Sequence, residues 1–121
     1  MIILKKINVL KNNYDFDRII KKSKPFIYKH FMVYVEKKEE PYYKFGISVN
    51  KHICNAVGRN KIKRQVRNIL DSMCFKSNFN CIIIARKSIL NSNYFEMKEQ
   101  LNFCFEKLNI LKGDQDEKEN N

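Results

Sequence analysis

Apolar residues near the start of the chain recur at the spacing of a short helix. Phe16, Ile19 and Ile20 fall on one face, and Asn13 is the expected N-cap. A residue that precedes proline is pushed out of the helical region, so the helix is expected to end before Pro25. This pattern predicts a first amphipathic helix with one buried face.

The longest apolar stripe lies near the end of the chain and predicts the last helix. Its members recur at helical spacing: Tyr94, Met97, Leu101, Cys104, Leu108 and Leu111. Asn93, followed three residues later by Glu96, resembles a capping arrangement at its start, and Gly113 is expected to end it.

Stretches rich in β-branched and aromatic residues predict strands. Phe26–Glu36 indicates a short piece and then a longer strand, and after a charged turn Tyr42–Val49 is expected to run antiparallel to it. Phe79–Ala85 contains a continuous apolar run, which is typical of a central strand covered on both faces. The order α-β-β-β-α-β-α predicts an α+β fold: a two-layer sandwich of a mixed sheet of about four strands with three helices.

A middle helix is predicted from Arg59 to about Met73, after a polar loop at Asn50–Gly58. Its apolar positions span an arc of about 100°: Ile62, Val66, Ile69, Leu70 and Met73. Polar side chains beside that arc form what we call the cationic ridge: Arg59, Asn60, Lys63, Arg64 and Arg67. Lys61 lies apart, toward the other side. Bound phosphate would relieve the repulsion among these cations, and the helix N-terminus adds free N–H groups. The ridge is either a polyanion site or a solvated basic face.

Charge favours the polyanion. The chain has 24 Lys and Arg against 13 Asp and Glu, for a net charge of +11. The acidic segment Gly113–Asn121 is expected to be disordered, and it carries four of the acids and one Lys. Residues 1–112, which are expected to form a single domain, are therefore more basic still than the whole chain. A membrane surface is the competing polyanion. It would require a basic helix with a large apolar face or a lipidation signal, and neither is evident, so no membrane partner is expected.

The four cysteines bear on the cellular compartment in which the protein is expected. Cys54, Cys74, Cys81 and Cys104 include no CxxC pair that would suggest a zinc site. Four reduced thiols are typical of an intracellular protein. The N-terminus has no pattern of a signal peptide, so a cytoplasmic location is expected.

The segment Asn55–Arg67 (NAVGRNKIKRQVR) matches an NAVxRNxxKR motif with a further Arg three residues on. It resembles the signature of the bacterial ribonuclease P protein subunit. Phe45–Lys51 and Ile82–Lys87 resemble the family's strands before and after the motif helix, and the resemblance covers about residues 8–111. It implies a left-handed βαβ crossover around this helix, where connection rules alone predict a right-handed one.

The resemblance implies a subunit that partners a catalytic RNA and has no nuclease activity of its own. In that family the RNA removes the 5′ leader of precursor tRNA with Mg²⁺ bound mainly by the RNA, and one protein per RNA is expected. Carried over by position, the contacts to the catalytic RNA are Arg59, Asn60, Lys63, Arg64 and Arg67, with Lys61 in weaker support. The implied leader-binding residues, in a cleft between the first helix and the open sheet face, are Phe16, Ile20, Tyr34, Ser48, Asn50 and Lys51. Aromatic rings there would stack on bases of any sequence.

Three residues depart from the family pattern: Ile20 replaces a frequent aromatic, His52 a Lys and Cys54 a Gly. They put one stacking platform, one charge contact and the shape of the loop in doubt. From the residues alone Phe16 is equally compatible with a plain core position, because it shares a face with Ile19.

Catalysis by the protein alone is not expected. His30, in a predicted strand, and His52 are the only histidines, and the few aspartates outside the acidic segment are poor material for a two-metal site. A structural RNA-binding protein, such as a ribosomal component, is the second hypothesis. It explains the charge and the fold but does not predict a cleft for a single strand.

Overall fold

A four-stranded sheet forms the centre of the computed structural model, which describes residues 8–113. The elements in chain order are α1 (Asn13–Lys22), β1 (Phe26–Tyr28), β2 (Phe31–Lys37), β3 (Tyr43–Val49), α2 (Ala56–Asp71), β4 (Phe79–Ala85) and α3 (Tyr94–Lys107), with a short 3₁₀ helix at Lys87–Asn91 before α3. The predicted α+β class and element order are confirmed. The expected disorder beyond Gly113 lies outside the described residues.

The strand order across the sheet is β1-β2-β4-β3. β4 is inserted between β2 and β3, pairing antiparallel with β2 and parallel with β3. β2 and β3 therefore run in opposite directions, as expected, but they are not neighbours. The prediction of a central, doubly covered β4 is confirmed, because six of its seven residues are buried. The parallel pair is joined by α2, and the left-handed sense of this crossover stays a prediction.

The larger core lies between one face of the sheet and the helices α2 and α3. Alternate strand residues such as Val33, Phe45 and Ile83 point to this side and are at most 1% exposed. The apolar stripe of α2 meets them through Val66 and Ile69, both fully buried. The predicted burial of this stripe is confirmed for Ile62, Val66, Ile69 and Leu70, whereas Met73 lies beyond the end of α2 and is only partly buried.

A smaller core lies on the opposite face, under α1. Ile19 of α1 packs there with Leu10, Tyr34 and Ile82, and Phe16 contacts its edge. The two-layer description thus fits the larger core, and α1 adds a partial third layer. The next row of the sheet, which pairs Met32 with Ile84 and Ile84 with Ser48, is only partly buried beside α1.

The starts of two helices differ from the prediction because an asparagine earlier in the chain provides the cap. The side chain of Asn12, not that of Asn13, accepts a 2.8 Å hydrogen bond from the N–H of Tyr14. The side chain of Asn55 accepts from the N–H of Gly58 at 2.9 Å, so α2 begins at Ala56, three residues before the predicted start.

The last helix ends earlier than Gly113. Asn109 adopts a left-handed conformation (φ 59°), and the N–H of Ile110 donates to the carbonyl of Phe105 at 3.1 Å. Leu111, predicted on the helical stripe, instead forms a β-bridge with Phe75. At the other end the Asn93–Glu96 cap is confirmed, with the N–H of Glu96 donating to Asn93 at 2.9 Å.

Candidate nucleic-acid interface

The cationic ridge lies along the solvent side of α2. Asn60, Arg64 and Arg67 are exposed, whereas Arg59 and Lys63 are half-buried. Lys61, predicted to lie apart from the ridge, is exposed. The ion pairs within residues 8–113 join Arg18 to Asp15, Arg18 to Glu36 and His30 to Glu96, so none of them involves α2. The first turn of α2 carries no acid either. The ridge therefore presents cations that no carboxylate of the described chain neutralises.

Arg59 differs from the rest of the ridge because its guanidinium is used within the protein. Its Nη1 donates to the carbonyl of Cys54 at 2.7 Å and to that of Lys51 at 3.2 Å. These bonds tie the loop after β3 to the first turns of α2. We infer that Arg59 orders this loop, whatever contact with RNA its remaining N–H groups make.

Cys54, which departs from the family pattern, fits this loop because residue 58 is glycine. A Cβ atom placed on Gly58 would lie 2.9 Å from Sγ of Cys54, which is closer than real side chains approach. The thiol is partly buried in that space. The departure therefore changes what fills the loop and leaves the cap of α2 intact.

An open cleft of about 570 Å³ lies between α1, the end of β3 and α2. Its lining includes Phe16 and Ile20 from α1, Ser48 from β3 and Lys63 from the ridge. Three of the predicted leader-binding residues are thus brought together, and Lys63, predicted to contact the catalytic RNA, lies with them. Asp17 is the one carboxylate among the described lining residues.

Phe16 lies directly on the backbone of β3. A Cβ atom placed on Gly46 would lie 2.7 Å from Cε2 of the Phe16 ring and closer still to Cζ. The ring is half-buried and lines the cleft as well. Phe16 therefore packs on the small core and also presents surface to the cleft, a position that is compatible with both sequence interpretations. Its contact with a leader stays a prediction.

The other predicted leader-binding residues are placed differently. Tyr34 is only 6% exposed, because its ring is packed beneath α1. This burial argues against an open stacking platform at Tyr34. Asn50 and Lys51 are exposed in the turn that follows β3, just beyond the cleft lining, where the Asn50 side chain accepts a 2.8 Å bond from the N–H of His52.

α1 is held on the sheet by a network around Arg18. Its guanidinium donates to both carboxylate oxygens of Glu36, at 2.6 and 3.1 Å, and to Asp15 at 2.6 Å. Glu36 also accepts from the buried side chain of Asn80 at 3.0 Å. The hydrogen bonds from Arg18 lower the pKa of Glu36 despite its partial burial. This network fixes the wall of the cleft that α1 provides.

Sequence reasoning missed Gly46, the Arg18 network and the place of Lys63. A glycine inside a strand is a signal of close approach, and Gly46 carried that signal. Arg18 and Glu36 are 18 residues apart, and nothing local pairs them. His30, predicted in a strand, lies in the turn between β1 and β2, with Nδ1 2.7 Å from Oγ of Ser88.

Residues 8–113 bear on metal binding, membrane spanning and thiol reactivity. No group of three or more His, Cys, Asp or Glu side chains there is placed to hold a metal ion. No helix of the described chain is long and apolar enough to cross a membrane. The thiols of Cys81 and Cys104 are buried, and burial raises the pKa of Cys104 to about 11, which makes these thiols unreactive.

Comparison with known proteins gives consistent results. A family model described as Ribonuclease P matches residues 4–109. The ribonuclease P protein component of Mycoplasma capricolum is 41% identical over 101 residues, covering 81% of this chain and 93% of that protein. A structure of a Staphylococcus aureus RNase P protein mutant with defective mRNA degradation activity has a TM-score of 0.79, with 31% identity over 88% of this chain and 92% of that one. The RNase P protein of Thermotoga maritima has a TM-score of 0.73, with 26% identity over 87% and 98%.

The fold and the two surfaces define a small basic α+β protein with a parallel β-α-β unit, whose helix displays cations beside a cleft. Within that class, the chain belongs to the ribonuclease P protein family, as its match over residues 4–109 establishes. The resemblance drawn from Asn55–Arg67 and its flanks is confirmed.

Proposed function

We propose that this protein binds the catalytic RNA of ribonuclease P through the cationic ridge and holds the 5′ leader of precursor tRNA in the cleft. The observation that carries the proposal is the adjacency of the two surfaces. Lys63 belongs to the ridge and also lines the cleft with Phe16 and Ser48. A structured RNA on α2 and a single strand in the cleft would therefore lie side by side on one protein.

The ridge suits a folded RNA because Arg64 and Arg67 are exposed and no carboxylate of residues 8–113 forms an ion pair with a ridge cation. Arg64 and Arg67 offer planar guanidinium groups that engage phosphate oxygens in pairs. Each phosphate contact releases counterions from the RNA, which makes binding strong at low salt and weak at high salt. Asn60 and Lys61 are exposed on the same helix and extend this surface.

The cleft suits a single strand because it combines an aromatic and an apolar wall with one cation. Phe16 would stack on an unpaired base, and Ile20 would give only an apolar contact where the family resemblance implies a frequent aromatic ring. Lys63 would meet a leader phosphate. Asn50 and Lys51, exposed beyond the end of β3, would contact the strand as it leaves the cleft.

Metal chemistry is assigned to the RNA. The described protein residues offer no cluster of metal ligands, whereas RNA phosphates bind Mg²⁺ readily. The protein would raise effective affinity for Mg²⁺ by neutralising part of the phosphate charge, so that less metal is needed for the active fold. We further propose one protein per catalytic RNA and a cytoplasmic location, which the four free thiols of the described chain favour.

The direct test combines purified protein, its cognate ribonuclease P RNA and precursor tRNA at limiting Mg²⁺. Faster removal of the leader with protein than without it is the expected result. Absence of stimulation, with both RNAs verified as folded, would contradict the proposal and favour a structural RNA-binding role.

A protein-only reaction belongs to the same experiment, because one similar structure is that of a Staphylococcus aureus RNase P protein mutant described as having defective mRNA degradation activity. Precursor tRNA and an unstructured mRNA are each incubated with protein and Mg²⁺ but without the RNA subunit. We expect no cleavage of either. Cleavage that survives further purification and is lost in His30→Ala would assign a hydrolytic role to the protein itself.

A further inference from the structure

Gly46 stands at the middle of β3, on the face of the sheet that α1 covers. In the register of the sheet it lies beside Ile82, which pairs in turn with Tyr34. Both neighbours carry large side chains that rise toward α1, so the missing side chain of Gly46 leaves a notch in this row. The ring of Phe16 occupies the notch, in contact with the strand backbone.

The backbone at this position does not require glycine. None of the glycines among residues 8–113 has a positive φ, and Gly46 lies in regular parallel pairing with β4. Glycine inside a strand is less favourable than alanine, because it loses more conformational freedom on folding. Glycine is therefore unfavourable for the strand itself. Its role lies in the space that it leaves for the Phe16 ring.

α1 is not free to rise and make room for a larger residue. The Arg18–Glu36 bonds tie it to the end of β2, and Ile19 is fully buried in the small core. A methyl group at position 46 would approach Phe16 to less than 3 Å, closer than real Cβ atoms come. Since the helix is anchored, the ring is the part that must move, and its open side is the cleft.

We propose that Gly46 is a positioning residue for the leader. Because it has no side chain, the Phe16 ring can lie directly on β3, and this position of the ring keeps the cleft open. The inference rests on the proposed function of the cleft. A ring displaced by a side chain at position 46 would occupy part of the space between Phe16 and Ser48 and would turn its face away from an incoming base.

The experiment is a double-substitution cycle with Gly46→Ala, Phe16→Ala and both together. For each reconstituted holoenzyme, the affinities for precursor and mature tRNA and for the catalytic RNA are measured. Gly46→Ala is expected to reduce the preference for precursor over mature tRNA by about threefold or more, part of what loss of one stacked base would give. Affinity for the catalytic RNA should remain within about twofold, because the ridge is untouched.

Thermal unfolding of the same four proteins gives a readout independent of RNA. Gly46→Ala should lower the Tm when Phe16 is present. In the Phe16→Ala background it should leave the Tm unchanged or raise it, because alanine is the better strand residue once the ring is gone. This reversal of sign is specific to a steric contact between the two side chains.

The outcomes separate the inference from the function on which it rests. Equal loss of Tm in both backgrounds, or an unchanged tRNA preference in Gly46→Ala, would overturn the positioning role. If Phe16→Ala itself leaves the tRNA preference unchanged, the proposed leader contact fails, and with it the role of Gly46 in recognition. The reversal in Tm would then report the packing contact alone.

Discussion

The cationic ridge is displayed by one helix, whereas the cleft is assembled from three elements that are distant in sequence. The ridge residues Asn60, Arg64 and Arg67 are exposed, and their side chains form no hydrogen bond or ion pair within residues 8–113. In the cleft, Phe16 rests on Gly46, and the helix that carries it is fixed through Arg18. One surface is prepared for a ligand by unneutralised charge, and the other by shape.

This difference predicts how each surface responds to the substitution of one of its residues. Removing Arg64 or Arg67 should weaken a partner's binding without disturbing the fold, because both side chains are exposed and form no ion pair within residues 8–113. Removing a cleft residue should change both the shape of the cleft and the stability of the small core. The variants below separate these two behaviours.

The largest expected effect is on binding of the catalytic RNA. Arg64→Ala combined with Arg67→Ala should weaken binding by about 2–4 kcal/mol at low salt, since two charge-assisted phosphate contacts are lost. The slope of log affinity against log salt should flatten by about 0.7–0.9 per lost contact. Filter binding over a salt series measures both quantities.

A matched control removes the same charge elsewhere. Lys98→Ala combined with Lys107→Ala takes two cations from α3, on exposed positions away from the ridge. It should leave the affinity and its salt slope nearly unchanged. Equal losses in the two double variants would mean that overall charge, and not the ridge, determines binding.

The next effect concerns the cleft. Phe16→Ala should reduce the preference for precursor over mature tRNA by about 1–3 kcal/mol, the usual contribution of one base stacked on an aromatic ring. Tyr34→Phe should leave this preference unchanged, because Tyr34 is almost wholly buried. Competition binding with the two tRNAs is the measurement, and an equal loss of both affinities in Phe16→Ala would assign that ring to the core alone.

A smaller effect tests the anchoring of α1 through its dependence on pH. The pKa of Glu36 is lowered from 4.5 by its bonds to Arg18, so its stabilising effect is present at neutral pH and is lost as the pH falls through the lowered value. Glu36→Gln should therefore have a lower Tm than the wild type near pH 7. The difference should narrow as the pH falls below 4.5, and it should close once the pH is below the lowered pKa of Glu36.

The neighbouring Glu39→Gln is the control, because that side chain is exposed and makes no side-chain hydrogen bond or ion pair in the described chain. Its Tm should follow the wild type at every pH. If the Tm difference between Glu36→Gln and wild type persists in acid, the cause of the difference is the packing of the side chain and not its ionisation.

The smallest effect is that of simple anions on the free protein. Phosphate or sulfate should raise the Tm by a few degrees at low ionic strength, because a bound anion relieves repulsion within the ridge. The Arg64→Ala, Arg67→Ala variant should show a smaller shift than the control on α3. Equal shifts in all proteins would indicate general screening and no site on α2.

Much of the ridge could be read from the sequence because an α-helix relates neighbours three and four residues apart by a fixed rotation. The buried stripe of α2, the cap at Asn93 and the central position of β4 were predicted on such local grounds. The errors at helix ends were also local. Asn12 and Asn109 took the places predicted for Asn13 and Gly113, and Asn55 caps α2 three residues before its predicted start.

The cleft followed only partly from the sequence. Phe16, Ile20 and Ser48 were expected together from the family resemblance, and the structure places them along one cleft. The burial of Tyr34 and the use of Arg59 within the loop were not expected, because both depend on how separate elements pack.

The sequence by itself determined the elements, the charge of α2 and the family, since these depend on local periodicity and on a contiguous motif. Tertiary structure alone decided the insertion of β4 between β2 and β3, the seat of Phe16 on Gly46 and the anchoring of α1 through Glu36. The physical reason is the same in each case. These contacts join residues far apart in the chain, and their partners are chosen by the packing of the whole sheet.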